Sequence, residues 1–224
     1  KTANITVNKI NSTLTVDNVN LDYESSINVT VKTKGATGIT AKIDDKEVSV
    51  DNYTIPISSL DAGNYTLTIT TIPDTNHIET TKTANITVNK INSTLTVDNV
   101  ELDYESSTTV NVTTEGATSI TAKIDNKDLQ INNFTIPISG LKAGTHTLTI
   151  TTIPDTNHIP ITKSVNVNVK KINSTLTVDD VNLDYDSSVN VNVTTEGTTG
   201  ITAKIDGKDV AANEYIIPIS GLKA

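Results

Sequence analysis

A single period restricts this chain more than anything else in it. The string Ile-Asn-Ser-Thr-Leu-Thr-Val-Asp begins at Ile10, Ile91 and Ile172, an interval of 81 residues both times. Residues 10–90 and 91–171 align without a gap and match at most positions, and residues 172–224 follow the same text. Lys1 to Lys9 are identical to Lys82 to Lys90. Such a chain is a stack of one supersecondary unit, so whatever folds must fold from a single copy or from neighbouring copies. The period divides the chain into 1–9, read as the last strand of a preceding repeat, complete repeats at 10–90 and 91–171, and an incomplete repeat at 172–224. The last lacks the text of its final two strands and would leave open sheet edges, which further chain or a neighbouring molecule's strands would cover.

The residues inside a copy select the fold class. Thr, Val, Ile and Asn dominate, aromatic residues make up 3%, and there is no Trp, Met or Cys. β-Branched side chains suit a pleated, half-buried surface, and they alternate with polar residues at a period of two. Leu14 and Val16 share one face, as do Ile27, Val29 and Val31, then Ile39, Ala41 and Ile43. Asp44-Asp45 makes a tight turn, which the third copy writes as Asp206-Gly207, a favoured two-residue hairpin. Val48 and Val50, Tyr53, Ile55 and Ile57, Tyr65, Leu67 and Ile69, and Ala84, Ile86 and Val88 complete about seven short strands. The expected fold is all-β, with tandem immunoglobulin-like antiparallel β-sandwiches arranged as an elongated rod. Between copies, Asn89-Lys90-Ile91-Asn92 contains neither Pro nor Gly, so the join has few free dihedrals. A semi-rigid array follows, with each unit adding roughly 30–40 Å.

The run Leu60-Asp61-Ala62-Gly63-Asn64-Tyr65-Thr66-Leu67 resembles the Asp-x-Gly-x-Tyr entry to the sixth strand of immunoglobulin-like domains. From there to Val88, through the loop Pro73-Asp74-Thr75-Asn76-His77, the text is similar to archaeal and bacterial Ig-like repeat domains of adhesin-like cell-surface proteins. The resemblance implies a sandwich stalk on the cell surface, with the Tyr hydroxyl bonded back to nearby backbone. His146 stands where the second copy's corner Tyr would be, so that bond is dispensable. The Trp and inter-sheet disulfide of antibody domains are missing, which leaves an aliphatic core.

Composition excludes some functions. The net charge is −9 and there is no Arg, so no basic stripe exists to neutralise phosphates and nucleic acid is not an expected partner. No run approaches the roughly 20 apolar residues of a membrane span, so no membrane contact is expected in this segment. Asn-x-Ser/Thr acceptor sites for N-glycans occur at Asn4, Asn11, Asn28, Asn52, Asn64, Asn85, Asn92, Asn111, Asn133, Asn173 and Asn192. Outward alternation also generates this spacing in any strand rich in Asn and Thr. The loop at 73–77, repeated at 154–158, sets Asp and His three residues apart, but two ligands are too few for a closed metal site and the residues are ordinary turn formers.

Acidic residues near a copy's start, Asp17, Asp22 and Glu24, could help to bind calcium at a domain junction. They lack a calcium-loop pattern and read as a solvated acidic face, so no cofactor is expected. Lys9, Lys90 and Lys171 are the lysines nearest to a Lys–Asn isopeptide staple, and they sit at junctions rather than in a core. His77, His146 and His158 are the only histidines, and no catalytic arrangement of Ser, His and carboxylate stands out. The expectation is a non-enzymatic, extracellular stalk whose partners are neighbouring repeats of its own chain. Two alternatives are a filament or sheath subunit completed by strand exchange between copies, and multivalent repeats that bind surface glycans or proteins. For the latter, Tyr23, Tyr104 and Tyr185 are the only exposed aromatic platform expected.

Overall fold

The computed structural model describes residues 1–223. They divide into two compact units: Lys1–Val100 with Ser107–Ser139 and Thr145–Asn168, and Glu101–Ser106 with Gly140–Gly144 and the chain from Val169 onward.

In the first unit, residues 10–90 form β1 (Ile10–Asn11), β2 (Thr13–Thr15), β3 (Val19–Asp22), β4 (Ile27–Thr30), β5 (Lys32–Lys34), β6 (Ala36–Ile43), β7 (Lys46–Val48), β8 (Thr54–Ile57), β9 (Gly63–Pro73), β10 (His77–Ile78) and β11 (Thr81–Asn89). One sheet has the order β3-β11-β9-β6-β7. Its pairings are antiparallel except for β3, which runs parallel to β11 with Val19 opposite Ile86 and Leu21 opposite Val88. On the other face β4 pairs with β8 and β5 with β2. Since β4 and β5 are one strand interrupted at Val31, this second sheet reads β2, β4/β5, β8.

Alternation drives the packing. Leu14, Val16, Val29, Val31, Ile55 and Ile57 from one sheet meet Val19, Leu21, Ile39, Ala41, Ile43, Leu67, Ile69, Ala84, Ile86 and Val88 from the other in a single aliphatic core. Ile55, Leu67, Ile69 and Ile86 are fully buried, each contributing about 1.5–3 kcal/mol of hydrophobic stabilisation. This is the immunoglobulin-like β-sandwich. The corner is present as well: the Tyr65 hydroxyl donates to the Asp61 carbonyl at 2.8 Å. Tyr53, at the β7–β8 connection, donates to the Ala36 carbonyl at 3.1 Å.

Val19–Asp22 was not expected as a separate strand, because Val-Asn-Leu-Asp is short and its partner β11 lies at the far end of the copy. Ile27 shares the direction of Val29 but is 39% exposed. It opens β4, and alternation fixes the face without fixing the depth. Thr108 holds the matching place in the second copy, as suits a rim position. The text of Lys1 to Lys9 recurs at 82–90, of which residues 82–89 lie in β11, paired on both sides.

The second copy repeats the elements as β12 (Ile91–Asn92), β13 (Val100–Asp103), β14 (Thr108–Asn111), β15 (Ala117–Ile124), β16 (Lys127–Asp128), β17 (Thr135–Ile138), β18 (Gly144–Pro154), β19 (His158–Ile159) and β20 (Thr162–Lys170). Strands β20, β18, β15 and β16 adjoin in the order of β11, β9, β6 and β7. In the second unit, β21 (Thr175–Val178), β22 (Ser188–Glu196) and β25 (Ile216–Ser220) form a three-stranded sheet, and β23 (Ala203–Ile205) pairs with β24 (Lys208–Val210). Here β22 is continuous, which confirms the reading of β4 and β5 as one strand. Val191 and Val193 are buried, whereas Leu176 and Val178 are exposed, unlike their buried counterparts Leu14 and Val16.

Candidate functional site

For a repeat array the chemistry of interest lies where one copy meets the next, and within the first unit that place is built from few residues. Strand β11 ends at Asn89 and β12 begins at Ile91, so one residue separates the two copies. The second copy presents the loop Pro154-Asp155-Thr156-Asn157-His158 at this end. Its shape is set locally: the Asp155 carboxylate accepts from the Asn157 N–H at 2.8 Å and from His158 Nδ1 at 2.7 Å. An ionised carboxylate only accepts, so Nδ1 carries the proton.

The loop is fastened to its own copy at three points. The Asp155 N–H donates to the Gly116 carbonyl at 3.1 Å, the Ile91 N–H to the Asn157 carbonyl at 3.2 Å, and the Ser93 N–H to the Ile159 carbonyl at 3.0 Å. The last two belong to the short parallel ladder of β12 with β19. The His158 ring lies directly over Gly116, where a Cβ would come within 2.3 Å of it. Glycine is required there twice over, since its φ is also +69°. The buried Ser93 hydroxyl reaches the carbonyls of Gly116 and Ile159, both at 3.1 Å.

Held in this way, the loop reaches the first copy. Asn157 Nδ2 donates to Asp61 Oδ1 at 2.9 Å, and its Oδ1 accepts the Ala62 N–H at 2.8 Å. The two bonds fix which way the amide faces. The His158 ring meets Tyr23 edge to face, with centroids 5.5 Å apart and planes at 76°. Asn157 and His158 are both buried. Asp61 also receives the corner hydroxyl of Tyr65 on its carbonyl, so the clamp and the corner share a residue. The first copy builds the same loop in advance: Asp74 accepts from Asn76 N–H at 2.8 Å and His77 Nδ1 at 2.6 Å, and Asn76 is exposed.

The carboxyls of Asp74 and Asp155 are held below the ordinary carboxylate value, chiefly by the hydrogen bond from their histidines. Asp125 is lowered in the same way by His146, whose Nδ1 lies 2.6 Å from it at the sandwich rim. The loop at 154–158 is therefore the turn expected from its residues and, in addition, a docking element. The recurrence of Gly35, Gly116 and Gly197 at the repeat period was the signal for it. Tyr23 is corrected from exposed platform to junction residue, half-buried against its core and His158. Tyr104 and Tyr185 are exposed.

All eleven sequon asparagines, from Asn4 to Asn192, are exposed. Asn64 Oδ1 accepts the Thr87 hydroxyl at 3.1 Å. Lys9, Lys90 and Lys171 are exposed, as are Asp17, Asp22 and Glu24. Asp22 accepts from Asn89 Nδ2 at 3.0 Å. Among the described residues no three His, Asp or Glu side chains converge as a metal site.

No protein-family model matches this chain, and no curated protein does. Solved structures similar to it include consecutive domains of titin, at 15% identity over 95% of this chain and 89% of that one, with a TM-score of 0.46. A second is the fibronectin(III)-like modules of Clostridium thermocellum CbhA, at 14% identity over 71% and 95%, with a TM-score of 0.31. A third is the tandem Ig repeats of Dlar, at 9% identity over 73% and 100%, with a TM-score of 0.31.

Proposed function

We propose that this chain supplies non-catalytic spacer repeats of an extracellular, adhesin-like surface protein, each 81-residue copy folding as one sandwich. The observation that carries the reading is the Asn157 clamp on Asp61 and Ala62, with the Tyr23–His158 contact beside it. Two domains joined by a loose tether need no such contact, whereas a spacer that transmits distance needs its joints set. The single residue between β11 and β12 supports the same reading. The exposed sequons suit an outward, glycosylated surface, and surface labelling of intact source cells tests the location.

The joint is tested by Asn157→Ala. Losing both bonds costs about 1–3 kcal/mol of coupling between the first two copies. Small-angle scattering and residual dipolar couplings should pass from one narrow inter-copy orientation to a broad distribution. Unchanged ordering in the variant would refute the proposal.

A further inference from the structure

The two complete copies carry eight Asn-x-Ser/Thr sites, and the fold divides them. Asn11, Asn28, Asn64, Asn85, Asn92 and Asn111 lie in strands, with their backbone tied into ladders. Asn52 and Asn133 lie outside the strands, each at the first position of a two-residue turn. The first turn is closed by Asp51 and Thr54, whose N–H groups donate to each other's carbonyls at 2.8 and 2.7 Å. Asn132 and Thr135 close the second in the same way, at 3.0 and 2.9 Å. Both asparagines are exposed, with φ of +44° and +45°. Tyr53 and Phe134 follow them, half-buried, and their carbonyls accept the N–H groups of Val31 and Val112. Each turn is thus anchored by its second residue and offers its first to solvent.

The difference decides what an enzyme acting on the folded chain can grip. In a strand the Asn and the Thr of a site stand roughly 6.6 Å apart on one sheet face, with a neighbouring strand about 4.8 Å away. Gripping such a site around its backbone requires the strand to leave its ladder first. Some of the hydroxyls are also occupied: Thr87, of the Asn85 site, donates to Asn64 Oδ1 at 3.1 Å, and Thr94, of the Asn92 site, accepts the Glu115 N–H at 2.7 Å. The Thr135 hydroxyl is bonded too, to the Asn132 carbonyl across its own turn, but one χ1 rotation releases it. Turn geometry explains an Asn at positive φ without explaining the Thr two places on. The third copy closes the same turn with Asn213 opposite Ile216 and holds Glu214 at φ +54°. Glu and Ile therefore meet the conformational needs, and the Asn and the Thr are present together in two copies and replaced together in the third.

We propose that Asn52 and Asn133 are the N-glycan acceptors of the folded chain, at the same turn of each complete copy. The donor is a sugar carried on a lipid diphosphate. Asn Nδ2 bonds to the anomeric carbon as the bond from that carbon to the diphosphate oxygen breaks, and one Nδ2 proton passes to the released diphosphate. The closing bonds of the turn survive, because they run between the backbones of Asp51 and Thr54, or Asn132 and Thr135, and not through the carboxamide. Modification in the cell presupposes the extracellular placement proposed above, whereas the selection among the eight sites is a property of the fold alone.

The test incubates the folded full chain with a purified single-subunit oligosaccharyltransferase and a lipid-diphosphate-linked oligosaccharide, and follows each site by peptide mass spectrometry. Rates on synthetic peptides spanning the eight sites correct for local sequence. Transfer is expected at Asn52 and Asn133, with corrected rates at the six strand sites lower by about tenfold or more. Thr54→Ile, which installs the third copy's residue, should abolish transfer to Asn52 and leave Asn133 unchanged, with circular dichroism checking the fold. Equal corrected rates at strand and turn sites, or no transfer to either turn, would overturn the proposal. Either result leaves the spacer reading standing, since the reaction is read on purified protein. Failure of surface labelling on intact cells would instead remove the extracellular placement without altering transfer in the tube.

Discussion

At the scale of single residues, the glycines under the two loop histidines, Gly35 beneath His77 and Gly116 beneath His158, leave no room for a side chain. Gly116 needs both the left-handed backbone and the absence of a side chain, because a Cβ would lie within 2.3 Å of the His158 ring. Gly116→Ala is expected to destabilise the chain by more than about 2 kcal/mol, read as a shift in the denaturant midpoint. A variant as stable as the parent would mean that the loop gives way without cost. Tyr53 and Phe134 hold the left-handed region as well, at φ +64° in both copies. The Tyr53 ring packs partly against the core, and Phe134 is half-buried at the matching place. The hydroxyl is secondary, since Phe134 has none at the place where Tyr53 bonds the Ala36 carbonyl.

At the scale of elements, the β6–β7 hairpin shows what repetition does to a turn. Asp44 and Asp45 have φ of +44° and +67°, and the turn closes with Ile43 opposite Lys46. This is the two-residue turn that favours Asn-Gly or Asp-Gly. Asp44 also accepts the Thr66 N–H at 2.8 Å, so it has a reason to stay. Asp45 has no comparable role, and Gly207 already occupies its place in the third copy. Asp45→Gly is therefore expected to stabilise the first copy by on the order of 0.5 kcal/mol, measured by chemical denaturation. A loss of stability would show that glycine's unfolded-state entropy outweighs the relieved backbone.

The same elements show what was legible in the sequence. Strands with Val, Ile or Leu at every second place, such as β6 and β9, declared both their class and their buried face. Strand β3 did not, because its pairing with β11 joins residues at opposite ends of a copy and leaves no local mark. The clamp was half legible: the recurring loop stood out, but its contacts depend on Asp61 and Tyr23, which no spacing rule links to Asn157.

At the scale of the whole molecule, all three histidines of the sequence pair with carboxylates: His77 with Asp74, His146 with Asp125, His158 with Asp155. Each of these carboxyls is held below its usual value in the folded chain. A depressed folded pKa contributes stability that is present above the unfolded value and is lost as pH falls through the folded one. Thermal melts should therefore be level near neutrality and fall below about pH 4; a melting temperature that holds to pH 2.5 would contradict this.

The nonapeptide that occurs twice has a consequence of another kind. At 82–90 its Ala84, Ile86 and Val88 face the core. An antibody that needs the side chains of Ala84, Ile86 and Val88 would find them closed in the folded copy and open once it is denatured, so its binding would report the folding of β11.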